Sequence, residues 1–335
     1  MAERRLTGDA AVLQVHPSWR CNLACAHCYS SSGPQAREEL RLELLLGCLD
    51  DAYELGYRRL AVSGGEPLLY AGLPQLLAHA RALGMATSIT TNGMLATARR
   101  WAPVATLLDV CAVSIDGTAD EHDAIRRRRG AFARTLANLA VVRASGVPFG
   151  FIHTLTQHNV DSLEFVVRLA SEQGARNVLV HPLTLHGRAA TTLADARPDE
   201  IELTAALFEA TRLGAELGVV VQVAAVTGEQ LVADRELFVC ARPVRELVSI
   251  SPTLIVDADG SVMPMTHELA PAFRLGSLLQ RPLRTLARDW LAAGQGDRLA
   301  DACAQTWDEL TRGGTDPVLA SYWYDEVAAR TLVPA

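Results

Sequence analysis

Apolar runs of strand length alternate with helical segments through the first half of the chain, and this alternation narrows the possible folds sharply. Residues 11–18 (AVLQVHPS), 58–64, 85–91, 108–115, 147–155 and 177–183 carry aliphatic and β-branched residues in short blocks. Helical spacing occupies 37–56, 73–83, 130–145 and 160–173, with Leu42, Leu45, Leu46 and Leu49 on one face. Parallel strands need a long crossover, and a helix supplies it, so the pattern predicts βαβ units in an α/β fold. An open, partial (β/α)6 barrel accommodates the six strands before residue 185.

The pattern changes after residue 185. A helix is expected at 198–217 and a strand at 219–226. A hairpin is expected over 247–265, turning at Asp259-Gly260. Helical segments follow at about 277–292 and 297–330. The expected division is a core at 1–190 and a linker with a smaller α+β region at 191–335. No internal repeat or low-complexity tract interrupts it.

Composition excludes several function classes. The net charge of −7 argues against a nucleic-acid partner. All 31 basic residues are arginine, so a lysine Schiff base to pyridoxal phosphate is impossible. The first ten residues hold no apolar signal core, and no run of eighteen apolar residues offers a membrane span. The cytoplasm is the expected compartment. Seven cysteines, an odd number, do not suggest a disulfide framework.

Three of those cysteines, Cys21, Cys25 and Cys28, stand in a C-x3-C-x2-C spacing just after the first expected strand. Thiolates are the natural ligands of iron–sulfur clusters, and three of them leave a fourth iron open. A zinc site would need a further ligand from His16 or His27, and the two separated ligand pairs of structural zinc motifs are missing. Buried packing is the third reading, since free cysteine is a small hydrophobe.

The C-x3-C-x2-C motif followed by Tyr29 resembles the signature of the radical S-adenosylmethionine (SAM) superfamily over roughly residues 11–190. The resemblance implies one [4Fe-4S] cluster on Cys21, Cys25 and Cys28, with SAM chelating the open iron. It further implies reductive cleavage of SAM to a 5′-deoxyadenosyl radical that takes hydrogen from a substrate. Ser63-Gly64-Gly65-Glu66-Pro67 resembles the family's GGE motif, which implies contact of Gly64, Gly65 and Glu66 with the methionine amino group. Glycines also let a backbone approach a ligand closely. Thr91 and Asn92 end the third expected strand. Ser114 and Asp116 end the fourth on one face, suited to ribose or a carboxylate. Capping is the ordinary reading of that aspartate. Arg126, in a His122–Phe132 stretch similar to the same branch, is a candidate for the SAM carboxylate. Tyr29 is a candidate neighbour of the adenine, with ordinary packing as the alternative. His153, His158, His181 and His186 receive no role.

Residues 256–265, with Gly276-Ser277-Leu278 and the Trp290 region, resemble the start of a SPASM or twitch extension. There a G-x4-C segment supplies an auxiliary-cluster ligand; here Met265 stands in the cysteine's place. Only Cys240 and Cys303 remain in this half, too few for a second cluster. Both are candidate hydrogen-atom donors. The expected function is hydrogen abstraction in peptide (RiPP) maturation or natural-product biosynthesis. The alternatives are a small sugar, nucleoside or amino-acid substrate, or a non-catalytic iron–sulfur or zinc scaffold. Expected partners are a flavodoxin- or ferredoxin-type electron donor and, because no leader-binding domain precedes strand one, a separate leader-peptide-binding protein.

Overall fold

The computed structural model describes residues 11–312 and 318–332. Its first half runs β1 (Val12–Val15), α1 (Leu42–Glu54), β2 (Arg59–Val62), α2 (Leu73–Ala82), β3 (Ala86–Thr91), α3 (Ala98–Ala105) and β4 (Val110–Ser114). It continues with α4 (Ala119–Ile125), α5 (Ala131–Ala144), β5 (Phe149–Leu155), α6 (Leu163–Gln173) and β6 (Asn177–Pro182). The second half holds α7 (Ala189–Thr192), α8 (Glu200–Leu217), β7 (Val220–Val223), β8 (Val226–Thr227), α9 (Gly228–Ala233), α10 (Arg235–Phe238) and α11 (Leu247–Ile250). It ends with β9 (Thr253–Val256), β10 (Ser261–Pro264), β11 (Gly276–Ser277), α12 (Leu283–Ala292), α13 (Gln295–Arg312), β12 (Ala320–Ser321) and α14 (Trp323–Leu332).

One mostly parallel sheet of order β11-β10-β9-β1-β2-β3-β4-β5-β6-β7 organises the chain. The six expected strands are present and pair in sequence order, all parallel. Alternate residues Leu13 and Val15, Leu60 and Val62 enter the apolar core beside Leu45 and Leu49 of α1 and Leu76 and Leu77 of α2. Each buried leucine is worth roughly 2 kcal/mol of apolar burial. The opposite set, Gln14, Ala61, Ser63 and Ser88, is small or polar and lines the other face. The region after residue 190 joins the same sheet, because β9 pairs parallel with β1, Val15 opposite Val256. The β9–β10 hairpin turns at Asp259-Gly260 as expected.

Three helical expectations change. The first helix begins at Leu42 rather than at residue 37. The preceding residues bond to the first-strand exit instead, with Leu40 N–H donating to Pro17 O and Trp19 N–H to Glu38 O. The segment at 277–292 starts in β11 and turns helical only after Pro282, which fixes the start of α12. The expected helix at 297–330 divides into α13 and α14, with β12 pairing β8 between them. Gly313-Gly314 and Pro317 interrupt the helical spacing there; residues 313–317 lie outside the described residues. No helix among the described residues is long and apolar enough to cross a membrane.

Candidate functional site

The loop that carries the three cysteines connects β1 to α1 and is stitched to the exit of β2. Gly65 N–H donates to Ser18 O and Glu66 N–H to Arg20 O, both at 2.9 Å. A Cβ on Gly65 would collide with the Arg20 carbonyl, which explains a glycine at that position. All three thiols are free, Cys25 buried and Cys21 and Cys28 half-buried. Each has a polar neighbour: Leu23 N–H lies 3.4 Å and Asn92 Nδ2 3.8 Å from the Cys21 sulfur, Arg126 Nη1 3.8 Å from that of Cys25, and Ser30 Oγ 3.5 Å from that of Cys28. Burial, the Glu66 carboxylate and the neighbouring cysteines push the Cys21 thiol up to about 12. Burial raises Cys25 too, against the pull of Arg126. Without a metal these two sulfurs therefore keep their protons, and metal binding would release them.

The ends of β2 and β3 are joined through Glu66. Its buried carboxylate accepts from Thr91 Oγ1 at 2.7 Å, Asn92 N–H at 2.9 Å and Leu68 N–H at 3.2 Å. The Asn92 amide in turn donates to Asn22 Oδ1 at 2.9 Å. Thus Glu66, Thr91 and Asn92 brace the cysteine loop. At the end of β4, Asp116 is fully buried and accepts from Arg126 Nε at 2.6 Å. Burial alone would raise this carboxyl; Arg126 and the imidazoles of His27, His122 and His153 outweigh it and hold it below the usual carboxylate range. Ser114, two residues before, makes no side-chain hydrogen bond among the described residues. The Tyr29 hydroxyl meets Ser63 Oγ at 3.1 Å and His16 Nε2 at 3.2 Å.

Residues 15–170 match the Radical SAM superfamily. The chain carries a Radical SAM domain. Among curated relatives, the PqqA peptide cyclase of Ruegeria pomeroyi is 35% identical over 190 residues, 56% of this chain and 51% of that one. The Fe-coproporphyrin III synthase of Methanosarcina barkeri is 32% identical over 173 residues, 50% and 43% of the two chains. The chain spans about half the length of these relatives. Streptococcus suis SuiB bound to precursor peptide SuiA matches with a TM-score of 0.66 at 16% identity, over 85% of this chain and 66% of SuiB. Native anSMEcpe with bound AdoMet and Kp18Cys peptide matches with 0.65 at 18% identity, over 96% and 97%. At those identities the likeness is one of fold.

The radical SAM domain has a donor set that fits its family's iron–sulfur cluster. Three thiols on one loop offer soft ligands, and the Arg126 guanidinium offsets their negative charge when ionised. The motifs did not disclose what fixes the loop from the other side. After β6, Arg188 donates from its side chain to the carbonyls of Cys25, Ser31 and Ser32, and from N–H to Cys28 O. Gly187, at φ 58°, packs so tightly on the Tyr29 carbonyl that a Cβ would collide with it. The signal was His186-Gly187-Arg188 in the loop after β6, but its partners lie more than 150 positions away. Nor did spacing reveal the imidazoles of His27, His122 and His153 around Asp116.

Cys240 and Cys303 lie elsewhere. They line a cavity of about 270 Å³ with Met265 and Trp323, and this cavity shares no lining residue with the one of about 590 Å³ beside the cysteine loop. Burial pushes the Cys303 thiol up to about 12. Met265, where a cluster ligand is expected by resemblance, thus faces the same space as both remaining thiols.

Proposed function

We propose that this chain is a radical SAM enzyme that takes hydrogen from a peptide substrate, with one [4Fe-4S] cluster held by Cys21, Cys25 and Cys28. The observation that carries this reading is one braced loop with three free thiols, ringed by the ends of β2, β3 and β4. Cleavage of SAM to methionine and a hydrogen-abstracting 5′-deoxyadenosyl radical is the chemistry that cluster and SAM supply when bound.

The protein's part is to bind and orient. The Glu66 carboxylate is already engaged by Thr91, Asn92 and Leu68, so the backbone carbonyls of Gly64 and Gly65 would be the acceptors for the methionine ammonium. Arg126 gives Nε to Asp116 and keeps the rest of its guanidinium toward Cys25, where it attracts both the thiolates and the SAM carboxylate. The free Ser114 hydroxyl suits the ribose. Tyr29, fixed by Ser63 and His16, would pack against the adenine. Residues 1–190 serve as the radical core and 191–335 shape the substrate pocket.

Support for a peptide comes from the likeness to a PqqA peptide cyclase and to the fold of SuiB with its precursor peptide. A flavodoxin- or ferredoxin-type donor would supply the electron, and a separate protein would present a leader peptide. The likeness to a Fe-coproporphyrin III synthase favours a second reading, a small-molecule substrate.

Anaerobic reconstitution with iron, sulfide, SAM and dithionite is the test. The expected result is 5′-deoxyadenosine; its absence from a cluster-loaded sample would overturn the enzyme reading. Deuterated peptides and deuterated small molecules then separate the two substrate classes by which of them delivers deuterium to 5′-deoxyadenosine.

A further inference from the structure

We propose that His16, Asp257 and His267 form a mononuclear divalent-metal site, distinct from the three thiols and open to the cavity beside the cysteine loop. The sheet register creates it. β1 and β9 run parallel with Val15 opposite Val256, and His16 N–H donates to Val256 O at 2.8 Å, so the next residues, His16 and Asp257, leave the sheet together. The β10 strand runs antiparallel away from Asp257, to Pro264 opposite Leu254; the chain then reverses at Met265, at φ 60°, and returns His267 to Asp257. His16 Nδ1 lies 2.7 Å from Asp257 Oδ1 and His267 Nδ1 lies 3.2 Å from Asp257 Oδ2. One ligand atom from each residue falls within 4.8 Å of the others.

Three further observations point to a cation. First, charge: the Asp257 side chain is only 14% exposed, and its ion-pair partners among the described residues are two imidazoles, with no arginine. A buried carboxylate without a positive charge is costly, and Glu268 adds to the negative field around His267. Second, orientation: with Nδ1 on a metal, His16 Nε2 carries the ring proton and gives it to the Tyr29 hydroxyl at 3.2 Å or, with the Gln14 amide turned about, to that amide's oxygen in place of the nitrogen now 2.8 Å away. Metal-bound histidines are characteristically fixed through their other nitrogen in this way. Third, vacant capacity: His267 Nε2 is buried with no partner, and its ring stacks between His16 and His186 at 5.3 and 5.7 Å.

Two imidazoles and a carboxylate suit zinc and other first-row divalent ions. Asp257 and His267 line the cavity of about 590 Å³, which leaves an open coordination position on that side. An oxygen donor of the substrate, a carboxylate or an amide carbonyl, would take it.

Zinc added to the cluster-reconstituted full chain tests the proposal. After gel filtration, metal analysis should find one zinc per chain beyond the iron. Zinc-edge X-ray absorption should show a nitrogen and oxygen shell at about 2.0 Å and no sulfur at about 2.3 Å. Asp257→Asn and His267→Ala should each lower retained zinc at least tenfold, with cluster absorbance reporting that the variants still fold; His79→Ala, at a surface pair, should not change it. Less than a tenth of a zinc per chain, a sulfur shell, or equal retention in both variants would overturn the site; the first outcome assigns the missing positive charge to a proton on His267. The readout does not depend on 5′-deoxyadenosine, so it stands apart from the radical reaction.

Discussion

Arg126 couples the buried carboxylate of Asp116 to the cluster loop: Nε donates to Asp116 at 2.6 Å while Nη1 lies 3.8 Å from the Cys25 sulfur. Arg126 is 8% exposed and Asp116 is fully buried, so neither charge can fall back on water. Removing either partner strands the other.

Arg126→Met should therefore destabilise the fold by about 3–5 kcal/mol in urea unfolding. Adding Asp116→Asn should recover a good part of that loss, because the stranded charge is gone. A single variant within 1 kcal/mol of wild type would contradict the coupling.

The cysteines divide into two sets. Alanine at Cys21, Cys25 or Cys28 should each abolish the brown colour of the reconstituted protein and its iron. Cys240→Ala and Cys303→Ala should retain about four irons per chain. Product yield in those two variants, once a substrate is in hand, decides whether either thiol donates hydrogen; unchanged yield in both removes that role.

The parts of this site visible in the sequence are those built from local spacing. The strand–helix alternation located β1 to β6 because buried parallel strands and crossover helices leave different apolar periods. The cysteine spacing and the strand-end motifs located the loop and its braces for the same reason. What escaped is long-range. Arg188 reaches Cys25 across 163 positions, and Asp257 meets His16 across 241. No local period records such pairs; they arise from the order of strands in the sheet. The helix boundary at 37–41 was missed where loop hydrogen bonds override helical spacing, and the division of the last helical stretch into α13 and α14 was missed because its period runs through both.

Acid should weaken the protein through its buried imidazoles. Burial lowers His181, at the end of β6, to about 4, and His122 behaves alike. The unfolded chain takes up these protons below pH 6.5 while the folded chain refuses them until about 4, so stability is full above 6.5 and falls as the pH drops toward 4. Each contributes a loss of about 2 kcal/mol at pH 5. His181→Gln should flatten that fall by the same amount in urea titrations at pH 8 and pH 5; an unchanged slope would count against a half-buried neutral imidazole there.

Gly187→Ala should loosen the clamp on the cysteine loop. The substitution meets both a positive φ and the Tyr29 carbonyl, at a cost of about 1–3 kcal/mol. Faster loss of iron to a chelator than from wild type is the expected readout, with the far-ultraviolet dichroism unchanged.

The pairing of β1 with β9 has a consequence for synthesis. The strand at residues 12–15 leaves the ribosome long before residues 253–256, and until those are made one of its two edges has no neighbour. Over that interval the edge offers unpaired backbone groups to any other extended chain. Chains truncated before β9 should accordingly aggregate, and the slow event in refolding should be the closing of this one seam, across the longest separation among the strand pairs of the main sheet.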